Sequence, residues 1–160
     1  MNLLLKNLLF TFMAPGTVAV LVPWLITSRV PASSGPALVL ALILFSLGGA
    51  IYAWCVWDFA SFGRGTPAPI DAPKKLVVRG LYRSTRNPMY LGVLSVILAW
   101  VVLFQAASLA AYAIFVATAF HLFILFYEEP HLERVFGREY ASYKSEVGRW
   151  LPRLPRKPAA

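Results

Sequence analysis

Long runs of apolar residues, separated by short polar segments, dominate the chain. Uncharged runs cover residues 8–26, 37–57 and 89–127. A helix needs about 20 apolar residues to cross a bilayer, so each of the first two runs predicts one membrane-spanning helix. The third run is long enough for two helices, with a turn near Gln105 to Ser108, its most polar point. The pattern predicts four spans, at residues 8–26, 37–57, 88–104 and 109–127.

Glycine and proline interrupt this pattern at three places. Pro15, Gly16 and Pro23 fall inside the first run and predict a kinked helix. The pair Gly48-Gly49 in the second run offers a small-residue surface on which another helix can pack closely. The proline-rich stretch "TPAPIDAP" after the second run predicts a connector that is not helical.

The overall composition supports a membrane protein. Of the 160 residues, 59% are hydrophobic and 14% are charged, whereas a soluble domain has about 45–50% apolar and about 25% charged residues. The length fits a single domain. We therefore expect an all-α integral membrane protein, with residues 1–160 forming one membrane domain. A cytosolic connector at 58–87 and a helical cytosolic tail at 128–160 flank the last two spans.

The layout of the positive charges predicts the orientation. The formal net charge is +8, and the basic residues are concentrated in the connector and the tail, while Arg29 alone marks the other face. The positive-inside rule places both basic segments, and both termini, in the cytoplasm, at a bacterial inner membrane or a membrane like that of the endoplasmic reticulum. Basic residues that flank apolar runs favour anionic membrane lipids over nucleic acid as a partner. The single cysteine, Cys55, excludes an intrachain disulfide or a CxxC motif.

The hairpin of the third and fourth spans brings two polar segments to the same depth. The segment "RNPMYLG" begins the third span, and "YEEPHLE" ends the fourth. Asn87 is a candidate N-cap with Pro88 at the first helical position, and a free helix N-terminus attracts anions. Glu128 and Glu129 are costly at a membrane interface unless cations or donors meet them. The two segments together predict a polar site at this end of the hairpin.

Several nearby residues have two possible roles. His121 lies seven residues before Glu128, which is two helical turns, so both are expected on one face. It fits either an interhelical hydrogen bond or a catalytic base. Arg149 and Arg153 fit either an acceptor's carboxylate or phosphate, or an anchor on anionic headgroups. The spacing of His121 and His131 matches no metal site, so we expect no metal. The aromatic pattern favours lipid-facing side chains at Phe115, Phe120, Phe123, Phe126 and Tyr127.

Two longer stretches resemble a known family. "GRGTPAPIDAPKKLVVRGLYRSTRNPMYLG" and "HLFILFYEEPHLERVFGREYASYKSEVGRWLPR" are similar to the isoprenylcysteine carboxyl methyltransferase and phospholipid methyltransferase group of small membrane enzymes. The resemblance implies that S-adenosylmethionine binds near the cytosolic face. The implied cofactor-binding residues are Arg86, Asn87, Pro88, Met89, Tyr90, Gly92, Glu128 and Glu129, with Gly63 and Gly65 as weaker candidates. Many carboxyl methyltransferases of the group have histidine where this chain has Asn87, so the resemblance implies the cofactor more closely than the acceptor.

The expected activity is therefore S-adenosylmethionine-dependent methyl transfer to a lipophilic, membrane-embedded acceptor. The acceptor class stays open between a prenylated cysteine carboxylate and a phospholipid amine. The expected catalytic residues are Glu128, Glu129 and His121, and the expected substrate-binding residues are Arg149 and Arg153.

Two alternatives belong to other classes. A nicotinamide-dependent membrane reductase would need a larger dinucleotide site than this short chain encloses. A four-span scaffold or transporter is the non-enzymatic alternative, although a proton-coupled transporter usually has an acidic residue well inside a span. Here every acidic residue lies in a loop or at an interface.

Overall fold

The structure, a computed structural model, describes residues 9–63 and 75–153; most of these residues are helical, and there are no strands in these ranges. The expected all-α fold is confirmed. The predicted connector residues 64–74, which include Gly65, lie outside the described residues. The helices are α1 (Leu9–Thr27), α2 (Pro36–Asp58), α3 (Pro88–Phe104), α4 (Ala107–Phe136) and α5 (Arg138–Glu146).

The lengths of the helices bear on the predicted spans. Among the described residues, α1, α2 and α4 are long and apolar enough to cross a membrane, whereas α3 is apolar but has only 17 residues. Three candidate spans are therefore present, and a fourth at α3 stays a prediction. α4 runs nine residues past the predicted end of the fourth span, at residue 127. A π-helical stretch, Ile124–Glu128, ends two residues before Pro130 and changes the hydrogen-bond register there, so the missing proline N–H does not end the helix.

α1 also contains an irregular stretch where the sequence predicts a kink. Residues Phe12–Leu21 form a π-helix that includes Pro15. Side chains from the hairpin hold this stretch: Trp100 Nε1 donates to the Ala19 carbonyl at 3.0 Å, and the Tyr112 hydroxyl donates to the Val18 carbonyl at 2.8 Å. The core lies where α1 meets the hairpin, and its buried members are Ala19, Val93, Ile97, Ala113 and Val116.

α2 and α3 approach each other closely at two glycines. A Cβ atom at Gly48 would lie 2.6 Å from the Gly92 carbonyl oxygen, and one at Gly92 would lie 3.1 Å from the Tyr52 nitrogen. At both positions a larger residue would crowd the backbone of the facing helix, so only glycine lets the two backbones come into contact. A Cβ at Gly49 would have no neighbouring atom within 4 Å. The predicted close-packing surface is present, and Gly48 alone of the pair forms it.

A tight turn joins α3 to α4 and sets the position of the site. Gln105 has a left-handed backbone with φ of 49° and ends α3, and α4 begins two residues later. The turn falls within the predicted segment, Gln105 to Ser108. The opposite ends of the hairpin, at Pro88 and Glu128, consequently return to the same level.

The connector and the tail pack together over that level. Tyr143 on α5 donates to the Tyr82 carbonyl at 2.8 Å, and Leu76 lies in one cluster with Tyr140, Tyr143 and Val147. The end of α2 joins them through buried Asp58, whose carboxylate lies 3.1 Å from Arg79. We call this part of the molecule, residues 75–87 and 137–153 with the adjoining helix ends, the basic end.

Candidate active site

The two polar segments of the hairpin meet at the basic end. The Tyr90 hydroxyl donates to Glu128 Oε2 at 2.7 Å, which joins the first turn of α3 to α4. Pro88 is the first residue of α3, as predicted. Among the described residues, Glu128 takes part in no ion pair, so no cation of the protein occupies its carboxylate.

Glu129 lies in a different environment, although it is the next residue. It is 4% exposed, and Arg149 donates to both of its carboxylate oxygens, at 2.7 and 3.0 Å. Arg86 Nη1 lies 3.2 Å from the same carboxylate and Lys144 Nζ lies 3.5 Å from it. The hydrogen bonds to Glu129 raise the pKa of Arg149. Glu129 is thus neutralised within the protein.

The charges around Glu129 do not balance. Lys144 also pairs with Glu133 at 2.6 Å, so three cations face two carboxylates and one positive charge is left over. Arg86 is the buried cation of the group, at 9% exposed, and its Nε–H has no hydrogen-bond partner among the described residues. Its Nη1 donates to the Tyr140 hydroxyl at 3.2 Å, and burial raises the pKa of that phenol to about 12. The site is therefore suited to a negatively charged group near Arg86.

A segment of the tail, Val147–Trp150, lies across the start of α3; we call it the strap. The Gly148 carbonyl accepts from the Arg86 backbone N–H at 2.9 Å. The Arg149 carbonyl accepts from Thr85 Oγ1 and from Asn87 Nδ2, each at 3.0 Å. The strap therefore fixes residues 85–87 through three hydrogen bonds.

Asn87 departs from the expected capping role. It occupies the N-cap position of α3, but its side chain makes no capping hydrogen bond. Its amide instead donates to the strap. The sequence could not indicate this partner, because Arg149 is 62 residues away along the chain.

These groups line a cleft with two lobes. The larger lobe has a volume of about 530 Å³ and the smaller about 150 Å³, and they share Arg86, Asn87, Tyr90 and Glu128 in their walls. The larger lobe also contains Glu129. Its aromatic wall consists of Phe10, Phe59, Tyr82, Tyr90, Phe120, Phe123, Tyr127, His131, Phe136, Tyr140 and Tyr143.

The aromatic residues of α4 divide between lipid and cleft. Phe115 and Phe126 are 70% and 73% exposed, as expected for lipid-facing side chains. Phe120, Phe123 and Tyr127 line the larger lobe instead. The sequence pattern assigned all five to lipid, because the helical spacing of aromatics does not distinguish a lipid-facing stripe from a cleft between helices.

His121 and Glu128 do not both face the cleft, although the sequence predicts that they lie on one face of the helix. The π-helical stretch lies between them and forms i→i+5 hydrogen bonds, so seven residues no longer correspond to two regular turns. His121 is not among the residues that line either lobe. Its Nδ1 accepts from Trp150 Nε1 at 3.1 Å, which matches the hydrogen-bonding alternative, with a partner in the strap rather than in another span.

Other predicted site residues also lie apart from the cleft. Gly92 packs against Gly48 and does not line either lobe. Arg153 donates to the Ser145 carbonyl on the outer side of the tail. Met89 lines the smaller lobe, and Gly63 ends the helical extension of α2.

Some residues of the site were not among the predictions. Lys144 beside Glu129, and Phe10 and Ala14 in the cleft wall, are examples. An α5 lysine looks like a solvated charge in sequence, and Phe10 and Ala14 look like ordinary lipid-facing residues of a span. Only the packing of α1 and α5 on the hairpin assigns them to the site.

The fold and the cleft define a helical membrane protein with a polar site at one end of its bundle. A family model described as phospholipid methyltransferase matches residues 36–139, more than half of the chain. The chain belongs to the phospholipid methyltransferase family. Membership indicates a methyltransferase that acts on an acceptor of the membrane-lipid type, and with the three long apolar helices it indicates an integral membrane protein.

A curated relative adds no functional information. An uncharacterised protein of Haemophilus influenzae is 41% identical to this chain over 64 residues, which make up 39% of this chain and 100% of that protein. No solved structure matches the chain.

Proposed function

We propose that this protein transfers a methyl group from S-adenosylmethionine to a lipophilic acceptor held in the membrane. The observation that carries the proposal is the pairing of opposite charges across the cleft. Arg86, whose Nε–H has no hydrogen-bond partner among the described residues, and Glu128 both line this cleft, and one positive charge beside Glu129 is not compensated. The resemblance and the family both agree with this activity.

The cleft suits the chemical groups of this cofactor. Its larger lobe, of about 530 Å³, falls within the range of roughly 300–1,000 Å³ usual for small-molecule sites. Arg86 and the first N–H groups of α3 would hold a carboxylate. Glu128 and the faces of the surrounding aromatic rings would hold a cationic centre, since ring faces attract cations. When bound, the cofactor supplies a methyl group on a positively charged sulfur.

The protein's part in such a reaction is alignment, exclusion of water and, where needed, proton removal. Alignment of the reacting groups in a closed site can contribute about 7–11 kcal/mol to lowering a barrier. Glu129 is occupied by cations, so Glu128 is the carboxylate available to the reacting groups. An amine acceptor would give its proton to Glu128, whereas a carboxylate acceptor needs no base. His121, which is bonded to Trp150, has no part in this proposal.

The experiment has two arms. The purified protein in detergent is titrated with S-adenosylmethionine by calorimetry, with NADPH as the control ligand. Saturable binding of the first ligand and none of the second is expected. Binding of NADPH instead would favour the reductase alternative, and binding of neither by folded protein would favour a scaffold or transporter.

The second arm determines the acceptor class. The protein is incubated with S-adenosylmethionine labelled in its methyl group and with a membrane lipid extract. The lipid phase is then treated with mild alkali, and the volatile label is counted separately from the label that stays behind. Alkali hydrolyses a methyl ester and releases labelled methanol, but it leaves an N-methyl group in place. Non-volatile label, on intact lipid or on the water-soluble headgroup that alkali frees from a phospholipid, would identify an amine acceptor, and volatile label would identify a carboxylate.

A further inference from the structure

The smaller lobe of the cleft extends away from the charged groups. On α1 its wall comprises Phe10, Ala14, Pro15 and Val18, and on α3 it includes Val93. The lobe therefore follows α1 along its π-helical stretch, where Pro15 interrupts regular helix packing. Its charged wall residues, Arg86 and Glu128, are those shared with the larger lobe.

The inner part of this lobe is apolar. Beyond the shared end, Tyr52 contributes a hydroxyl, and that hydroxyl already hydrogen-bonds to Thr11 at 2.9 Å. A buried water needs two to four polar partners, which the side chains of Pro15, Val18 and Val93 do not offer. An apolar cavity of about 150 Å³ stays dry and accepts a group about the size of benzene. The lobe is thus suited to a single hydrocarbon group of that size.

The helix that encloses the smaller lobe, α1, lies outside the part of the chain that the family model matches. The family match begins at residue 36, so α1 lies outside it. The charged end of the cleft is formed by residues within the match, including Arg86 and Glu128. The part of the cleft that α1 encloses can therefore differ between relatives while the charged end keeps its chemistry.

From these observations we infer that the smaller lobe binds the apolar group of the methyl acceptor nearest to the reacting atom, a hydrocarbon segment about the size of one benzene ring. Pro15, Val18 and Val93, which line this lobe alone, set the size of this group. The inference rests on the proposed function, because the acceptor's reacting atom would lie at the end shared with the cofactor lobe. The remaining hydrocarbon would leave the cleft between helices and lie in the bilayer.

The first test fills the lobe. Val18→Phe places a ring in the lobe, and Val20→Phe makes the same change at a residue of the same helix that is 52% exposed. We expect Val18→Phe to raise the apparent KM for the extracted lipid acceptor by about tenfold or more, with the dissociation constant of S-adenosylmethionine within about twofold. Val20→Phe should leave both values unchanged. An unchanged acceptor KM in Val18→Phe would overturn the inference.

The second test does not depend on turnover. The protein is reconstituted with a phospholipid whose acyl chain carries a photoreactive diazirine. The sample is then irradiated, and the labelled residues are identified by mass spectrometry. Val93 is 6% exposed, so a label there can come only from a hydrocarbon inside the lobe. We expect label on Val93 in wild type and in Val20→Phe, and its loss in Val18→Phe.

Absence of label on Val93 in the wild-type protein would overturn the lobe assignment. The proposed function is tested separately, by the titration with S-adenosylmethionine. If S-adenosylmethionine did not bind, the proposed function would fail, but the photolabelling would still show whether a hydrocarbon occupies the lobe.

Discussion

Arg149 and Glu129 are joined by two hydrogen bonds of 2.7 and 3.0 Å, which tie the strap to α4. The carbonyl of the same arginine accepts from Thr85 and Asn87 at the start of α3. One tail residue therefore holds both sides of the cleft. We expect the geometry of the site to depend on this tail as much as on the spans.

Glu129→Gln should destabilise the protein. The change leaves Arg86 and Arg149 facing each other without their shared carboxylate, and breaking a buried ion pair costs about 3–5 kcal/mol. Thermal unfolding in detergent should show a clearly lower Tm than wild type, with Glu139→Gln, a change at an exposed carboxylate of α5, as the matched control. An unchanged Tm with lost turnover would instead place Glu129 in direct contact with the reacting groups.

Glu128→Gln should lower turnover rather than stability, in contrast to Glu129→Gln. Glu128 has a hydrogen bond from Tyr90 and no ion pair among the described residues, so stability should change little. If the acceptor is an amine, loss of the base should reduce kcat by about 10²–10⁴-fold. Tyr90→Phe keeps the carboxylate and should reduce kcat less. The comparison is made by steady-state methyl transfer, and a larger loss in Tyr90→Phe would contradict the assigned role of Glu128.

Substitutions at Asn87 distinguish a helix cap from a donor to the strap. Aspartate is as good a cap as asparagine, but it cannot donate to the Arg149 carbonyl. We expect Asn87→Asp and Asn87→Ala each to destabilise the protein by about 1 kcal/mol or more. Thermal unfolding measures both variants. Full stability of the aspartate variant would show that the side chain acts as a cap.

Gly92→Ala should weaken the packing of α2 on α3. The added methyl group would lie 3.0 Å from the Gly48 carbonyl oxygen, and such overpacking costs about 1–3 kcal/mol. Gly49→Ala is the matched control, because its methyl group would meet no atom within 4 Å. Unfolding in denaturant compares the two. Equal stability of the variants would contradict the close approach of these helices.

The proposed orientation is tested with a cysteine at Lys75, an exposed residue of the basic end. Cys55 is fully buried and should not react. Because positive segments stay on the cytoplasmic side, we expect a membrane-impermeant maleimide to label Lys75→Cys in inverted bacterial vesicles but not in intact cells. Labelling in intact cells would reverse the proposed topology.

Much of the architecture followed from local sequence. Hydrophobic runs indicated the helices, because the length needed to cross a bilayer is fixed. The polar point at Gln105 indicated the hairpin turn. Because the two helices of a hairpin are antiparallel, this turn implied that Tyr90 and Glu128 lie at the same end of the bundle. The continuation of α4 past residue 127 was not predicted, because the π-helical stretch before Pro130 has no simple sequence pattern.

The chain by itself determined the helical class, the hairpin and the meeting of the two polar segments, because each depends on neighbouring residues and the periodicity of one helix. Only the tertiary structure decided which glutamate is neutralised, since Arg86, Lys144 and Arg149 reach Glu129 from separate segments. It also directed Asn87 to the strap and His121 to Trp150. These choices depend on contacts between residues far apart in the chain, where burial and the need to pair charges determine the partners.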